Sequence, residues 1–165
     1  KTSFEQIGIT LLGLVYVMLP FASLHLAVFW EGQFHYQIIL GIFFIVWIHD
    51  IGAYFIGSRY GRRQLFPRIS PNKSWEGTVG GAILAWTMAF LLAQYLQDLS
   101  LAQWLVIASI IIVLGTHGDL IESMLKRNIR LKDSSEILPG HGGFLDRFDN
   151  LLISAPFIAL FLKIF

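Results

Sequence analysis

The sequence predicts an all-α, polytopic membrane protein with about five spanning helices and two chemically rich loops on one membrane face. Three observations carry that expectation. Of 165 residues, 55% are hydrophobic and only 14% charged, against about 25% charged in an ordinary soluble domain. Five apolar stretches approach the ~20 residues that a helix needs to cross a bilayer. The basic residues are also distributed unevenly between alternate loops. The mean hydropathy of +0.64 agrees, whereas the net charge of +1 says little. With zero cysteines, a disulfide framework and thiolate metal sites are excluded.

The spans are expected at residues 7–30, 37–57, 78–96, 101–120 and 148–165. The first exceeds the roughly 7–15 apolar residues of a signal peptide and lacks a small-residue cleavage site, so it reads as a span. Pro20 and Pro156 fall within spans, where neighbouring helices can satisfy the freed carbonyls. They are expected to mark kinks. Gly77, Gly80 and Gly81 are expected to let the third span pack closely on a neighbour. Trp30, Trp104 and Tyr36 read as aromatics of the membrane–water interface. His25, His49 and His117 read as polar packing residues.

Loop charge gives the orientation. Loops 30–36 and 97–100 contain Glu31 and Asp98 but no Lys or Arg, whereas 59–76 and 122–147 carry five bases each. In a five-span topology, eleven of the twelve basic residues fall on one side, Lys163 being the exception. By the positive-inside rule that side is cytoplasmic. The whole of 1–165 reads as one transmembrane catalytic domain.

In the first of these loops, Ser70, Lys73 and Ser74 place two hydroxyls and an ammonium just before a helix, a set suited to phosphate. Asn72 stands where a Walker A loop needs Gly, so any nucleotide binds without a P-loop. Arg62, Arg63 and Arg68 read as anchors for lipid headgroups. Asp50 lies within the second span, where a carboxylate costs roughly 2.5–3.5 kcal/mol on insertion scales and marks a functional site by default. The alternative is a structural hydrogen bond to a hydroxyl or histidine on a neighbouring span.

The second loop is richer. Asp119, Glu122 and Lys126 recur at i, i+3, i+7 and share a helix stripe, with Arg127 following. An ordinary Glu122–Lys126 pair at a helix end is the plainer reading. Asp146 and Asp149 share a face at the start of the fifth span, where acids also favour the helix dipole by ~0.3–1 kcal/mol. Carboxylates from two helices together with phosphate oxygens are what Mg²⁺ accepts. Between them, Pro139-Gly-His141-Gly142-Gly143 can present backbone N–H groups to an anion, with His141 either donating to phosphate or filling the turn.

These residues carry a resemblance. The 27-residue run Ser123-x-Leu125-Lys126-Arg127-x4-Lys132-Asp133-x-Ser135-x2-Leu138-Pro139-x-His141-Gly142-Gly143-Phe144-x-Asp146-Arg147-Phe148-Asp149 resembles the signature of phosphatidate cytidylyltransferases (CDP-diacylglycerol synthases). Asp50-x-x-Ala53-Tyr54, Ile69-Ser70-Pro71-x-Lys73-x-Trp75-Glu76-Gly77 and Gly118-Asp119-Leu120-x-Glu122-Ser123 resemble the family's other motifs. Members are usually longer, which implies further spans ahead of Lys1.

The resemblance implies transfer of a cytidylyl group from CTP to phosphatidic acid, giving CDP-diacylglycerol and pyrophosphate. In that reading Asp119 and Asp146 hold Mg²⁺, with Asp149 and Glu122 in support and room for a second cation. Lys126, Arg127, Lys132, His141 and the Gly142-Gly143 turn steady the triphosphate, while Asp50, Ser70, Lys73 and Ser74 serve the other substrate group. A homodimer in the lipid bilayer is implied, in a bacterial inner membrane with the site facing the cytoplasm. No nucleic-acid partner is expected. The alternatives are a cytidylyltransferase or CTP-dependent kinase for another membrane lipid, and an ion-coupled transporter motivated by Asp50 and Asp119.

Overall fold

A computed structural model describes residues 3–30, 33–67, 69–128 and 148–165. In chain order these form α1 (Ser3–Val28), β1 (Phe29–Trp30), β2 (Gln33–Phe34), α2 (Tyr36–Tyr60), β3 (Gln64–Phe66), β4 (Ser70–Ser74), α3 (Trp75–Tyr95), α4 (Leu101–Ile110), a π-helical turn (Ile111–Gly115), α5 (Thr116–Asn128) and α6 (Asp149–Ile164). The architecture is the all-α, polytopic membrane fold that the sequence predicts. Among the described residues, four helical stretches are long and apolar enough to cross a membrane: Ser3–Val28, Tyr36–Tyr60, Trp75–Tyr95 and Leu101–Asn128. The expected fifth span, α6, has 16 residues. At 1.5 Å per residue it covers about 24 Å, short of a hydrocarbon core of ~30 Å.

The fourth span differs most from expectation. It begins at a capping box in which Ser100 and Gln103 satisfy each other's backbone amides. It then passes through the π-turn and runs on as α5 to Asn128. A π-turn adds one residue to a helical turn and so rotates everything after it.

Packing follows from residue size. The α2–α3 contact is the most extensive, joined by α1 on α6, α3 on α4, and both α5 and the π-turn on α6. A side chain at Gly81 would put its Cβ 2.6 Å from the His49 carbonyl oxygen, and one at Gly77 would sit 2.7 Å from the Ala53 oxygen. These glycines allow α2 and α3 to meet backbone to backbone, as the sequence predicts. The core is made by Ile38, Ile42, Ile45, Ala85, Ile107 and Ile158. Trp104 also belongs there, contrary to its expected place at the membrane interface. It is fully buried because Gly41 of α2 leaves room for the indole.

The bundle has two chemically distinct ends. At one, His35 Nδ1 lies 3.1 Å from Asp98 Oδ1, and Gln103 Nε2 donates to the Phe165 carbonyl. At the other lie the β3–β4 hairpin, α5 and the first turn of α6. Here are Arg59, Arg62, Arg63, Lys73, Lys126 and Arg127.

Candidate active site

The first loop folds as a hairpin because its ends are tied to the start of α3. Gln64 pairs with Ser74 and Phe66 with Ser70 in an antiparallel register. The Glu76 carboxylate accepts the backbone amides of Arg62 and Arg63 at 3.1 and 3.2 Å. Ser74 caps α3 by accepting the Gly77 amide at 3.1 Å, which stabilises a helix start by ~1 kcal/mol. Capping therefore occupies one lone pair of the Ser74 hydroxyl that the sequence assigns to phosphate.

With its strand fixed at both ends, Lys73 reaches across the molecule and forms an ion pair with Asp119. Asp119 lies one turn into α5, directly after the π-turn, and its Oδ1 also accepts the Ser123 hydroxyl at 3.3 Å. The pair lies in a cleft of about 310 Å³. Its polar lining brings together Asp50 of α2, Ser70, Lys73 and Ser74 of the hairpin, Asp119 of α5 and Asn150 of α6. Asp50 is half-exposed there. Its Oδ1 accepts Asn150 Nδ2 at 2.6 Å and lies 3.2 Å from His49 Nδ1. The tether from a neighbouring helix is thus an amide, where the sequence suggested a hydroxyl or histidine, and the histidine that approaches Asp50 is on its own helix; the carboxylate also lines the cleft.

The remaining acids divide. Asp149, in the first turn of α6, interacts electrostatically with Asp119, Glu122 and Asp50 and accepts the Asn150 amide at 2.7 Å. Glu122 is buried and forms an ion pair with Lys126 at 3.4 Å. Both of these act electrostatically on Tyr16 of α1, and neither lines the cleft. The stripe predicted for Asp119, Glu122 and Lys126 therefore divides between two neighbours. Arg127 is exposed near the end of α5. Lys132, His141, Gly142, Gly143 and Asp146 lie outside the described residues.

Sequence reasoning missed Asn150 and Thr116, both of which line the cleft. Each had a local signal. Thr116 precedes Asp119 by three residues and so shares its helix face, while its hydroxyl donates to the Ile112 carbonyl at 2.6 Å. Asn150 is an amide placed where an apolar span begins, and its side chain is the donor that holds Asp50.

Among the described residues, no three acidic or histidine side chains come close enough together to hold a metal ion. Asp119 and Asp149 nevertheless supply the hard carboxylate oxygens that Mg²⁺ favours, and that ion fills its octahedron with waters and phosphate oxygens. The donor type fits. Chemically, carboxylates from α2 and α5 and an amide from α6 meet one hairpin-borne ammonium in the cleft, with Asp149 of α6 within electrostatic reach of both acids, an arrangement suited to a cation–phosphate substrate.

A model of the cytidylyltransferase family matches residues 1–165. The phosphatidate cytidylyltransferase of Bacillus subtilis is 38% identical over 164 residues, covering 99% of this chain and 61% of that protein. The Staphylococcus saprophyticus protein of the same name is 41% identical over 164 residues, covering 98% and 61%. The Haemophilus influenzae one is 41% identical over 129 residues, covering 75% and 45%. The chain thus spans roughly three-fifths or less of the length of these relatives.

Proposed function

The chain belongs to the cytidylyltransferase family, and from that premise we propose that it transfers a cytidylyl group from CTP to phosphatidic acid. The observation that supports this reading is the Lys73–Asp119 pair, which joins the two motif loops across one cleft. An oxygen of the phosphatidate phosphate attacks the α-phosphorus of CTP. The bond from that phosphorus to the αβ-bridging oxygen breaks, and pyrophosphate leaves with the electron pair. The attacking phosphate is already ionised near neutral pH, so the step needs positioning and charge neutralisation more than a strong base.

Each group then has a task. The Lys73 ammonium has three donors, so it can hold a substrate phosphate beside Asp119. Ser70 and the hydroxyl proton of Ser74 donate to the same phosphate. Asn150 and His49 hold Asp50 so that its second oxygen faces the substrate. Mg²⁺ would be held by Asp119, Asp149 and Asp146, and it would neutralise triphosphate charge. Glu122, engaged with Lys126, adds negative potential from behind. Lys132, Arg127, His141 and the Gly142-Gly143 turn steady the triphosphate and the leaving pyrophosphate. The acceptor stays in the bilayer while CTP arrives from the cytoplasm of a bacterial cell, and two copies pair as a homodimer in the inner membrane.

The test is pyrophosphate release by purified protein supplied with CTP, Mg²⁺ and phosphatidic acid in mixed micelles. Asp119→Asn is expected to lower turnover by about 10²-fold or more, the scale for losing a charged group at a transition state. Turnover near the wild-type rate in folded Asp119→Asn would falsify the assignment.

A further inference from the structure

The far side of the α2–α3 pair carries a second concavity that the proposed reaction does not use. The cleft takes Ser74, Gly77 and Thr78 from the start of α3, whereas this trough takes Trp75, Val79 and Ile83. At 100° per residue those two sets occupy opposite faces of the helix. The trough encloses about 830 Å³, with Ile56, Val79 and Ile83 as apolar wall, Trp75 at its polar end, and Arg62 and Arg63 on its rim.

The rim is cationic by construction. Glu76 also borders the trough, but its Oε2 is taken by the backbone amides of Arg62 and Arg63. That contact holds the two residues over the start of α3 while leaving their side chains exposed. Among the described residues no ion pair within salt-bridge distance holds either guanidinium, although Glu76 lies within electrostatic reach of Arg63. Two guanidiniums against one occupied carboxylate leave net positive charge directly above an apolar wall. Guanidinium recognises phosphate through paired donors, and the apolar residues below it lie on two helices, α2 and α3, that can cross the bilayer.

We infer that this trough seats one anionic glycerophospholipid, with its phosphate at Arg62 and Arg63 and an acyl chain along Ile56, Val79 and Ile83. A zwitterionic lipid fits less well, because among the described residues the rim sets two guanidiniums against one carboxylate, Glu76, and that excess of positive charge disfavours a cationic headgroup. A soluble phosphate compound would leave the apolar wall without a partner. The site is separate from the cleft and stands whether or not the proposed reaction is correct.

Trp75 provides the readout. The protein is placed in phosphatidylcholine nanodiscs containing graded amounts of phosphatidylglycerol with brominated chains, and quenching specific to Trp75 is taken as wild type minus Trp75→Phe. Quenching should saturate at a low fraction of brominated phosphatidylglycerol, whereas brominated phosphatidylcholine should quench only in proportion to its abundance. The Arg62→Gln/Arg63→Gln double variant should weaken the apparent affinity for phosphatidylglycerol by roughly 5- to 30-fold, from the contribution of two basic groups near a membrane surface. Val79→Phe, which fills the trough and leaves its charge intact, should also remove the saturation. Superimposed curves for the two lipids in the wild type would overturn the inference. So would an undiminished phosphatidylglycerol preference in both variants, or in whichever of them folds.

Discussion

The Lys73 and Asp119 side chains are each about a quarter exposed, at 27% and 26%, and that number separates two roles for their ion pair. Pairs with this much solvent contact contribute only ~0.2–1 kcal/mol to folding. Lys73→Met should therefore lower the thermal unfolding midpoint only slightly, while pyrophosphate release falls by about 10²-fold. Because the two groups touch each other and, in the proposed reaction, serve one substrate, the Lys73→Met/Asp119→Asn double variant should be little worse than the more damaging single one. Multiplying losses in turnover, or a large loss of midpoint for Lys73→Met, would make the pair structural instead. Asn150 is the opposite case. It is 4% exposed and donates to Asp50 at 2.6 Å, so Asn150→Ala should cost about 1–3 kcal/mol for the lost, partly buried hydrogen bond to a carboxylate. Asn150→Asp should cost more, since it sets a second carboxylate against Asp50; chemical denaturation in detergent checks both. Sequence reasoning reached Asp50, Lys73 and Asp119 because charge beside apolar segments is conspicuous. It did not reach Asn150, because an amide at the start of a span carries no such signal until its partner, a hundred positions away, is placed beside it.

Elements were legible where one physical rule governed them. Hydropathy sets the four long helical stretches, and small residues set the α2–α3 contact. The latter can be tested at Gly81. Ala there would put a Cβ 2.6 Å from the His49 backbone oxygen, which cannot move without shifting α2. Gly81→Ala should destabilise by ~1–3 kcal/mol through overpacking and should also lower activity, because His49 and Asp50 ride on the displaced turn. Gly13→Ala in α1 is the control. Nothing lies within 4 Å of its would-be Cβ, so its effect should stay within about 0.5 kcal/mol. Equal midpoints for the two variants would remove close approach as the reason for Gly81. Other elements were not legible. The π-turn at Ile111–Gly115 arises in an unbroken apolar run, with no proline or polar residue to announce it. Yet it sets the rotation of α5, and hence which residues of the Asp119, Glu122 and Lys126 stripe face Lys73. The β3–β4 hairpin was hidden for a different reason: its ends are held by Glu76 and Ser74, capping groups that belong to the next helix.

At the scale of the whole molecule, charge and fold were derived separately and agree. The loop count sorts the basic residues to one side, and the bundle gathers the described ones, apart from Lys163, around the cleft end. Loop 97–100 and the chain's last residue lie at the other end, joined through His35–Asp98 and Gln103–Phe165. If the cleft faces the cytoplasm, Arg62 and Gln97 must lie on opposite sides of the membrane. Both are exposed, and the chain has no cysteine to interfere, so single Arg62→Cys and Gln97→Cys variants report cleanly. A membrane-impermeant maleimide should label Cys at 97 in intact spheroplasts and Cys at 62 only after inversion or lysis. The prediction discriminates strongly, because each alternative gives its own pattern. A reversed protein exchanges the two signals, and dual insertion labels both sites from both sides. A chain in which Trp75–Tyr95 fails to span leaves both positions on one side. Only the predicted pattern places Lys73 and Asp119 where a soluble nucleotide and a membrane-held acceptor can both reach them. The orientation is thus a physical requirement of the proposed chemistry, and it can be tested without measuring any turnover.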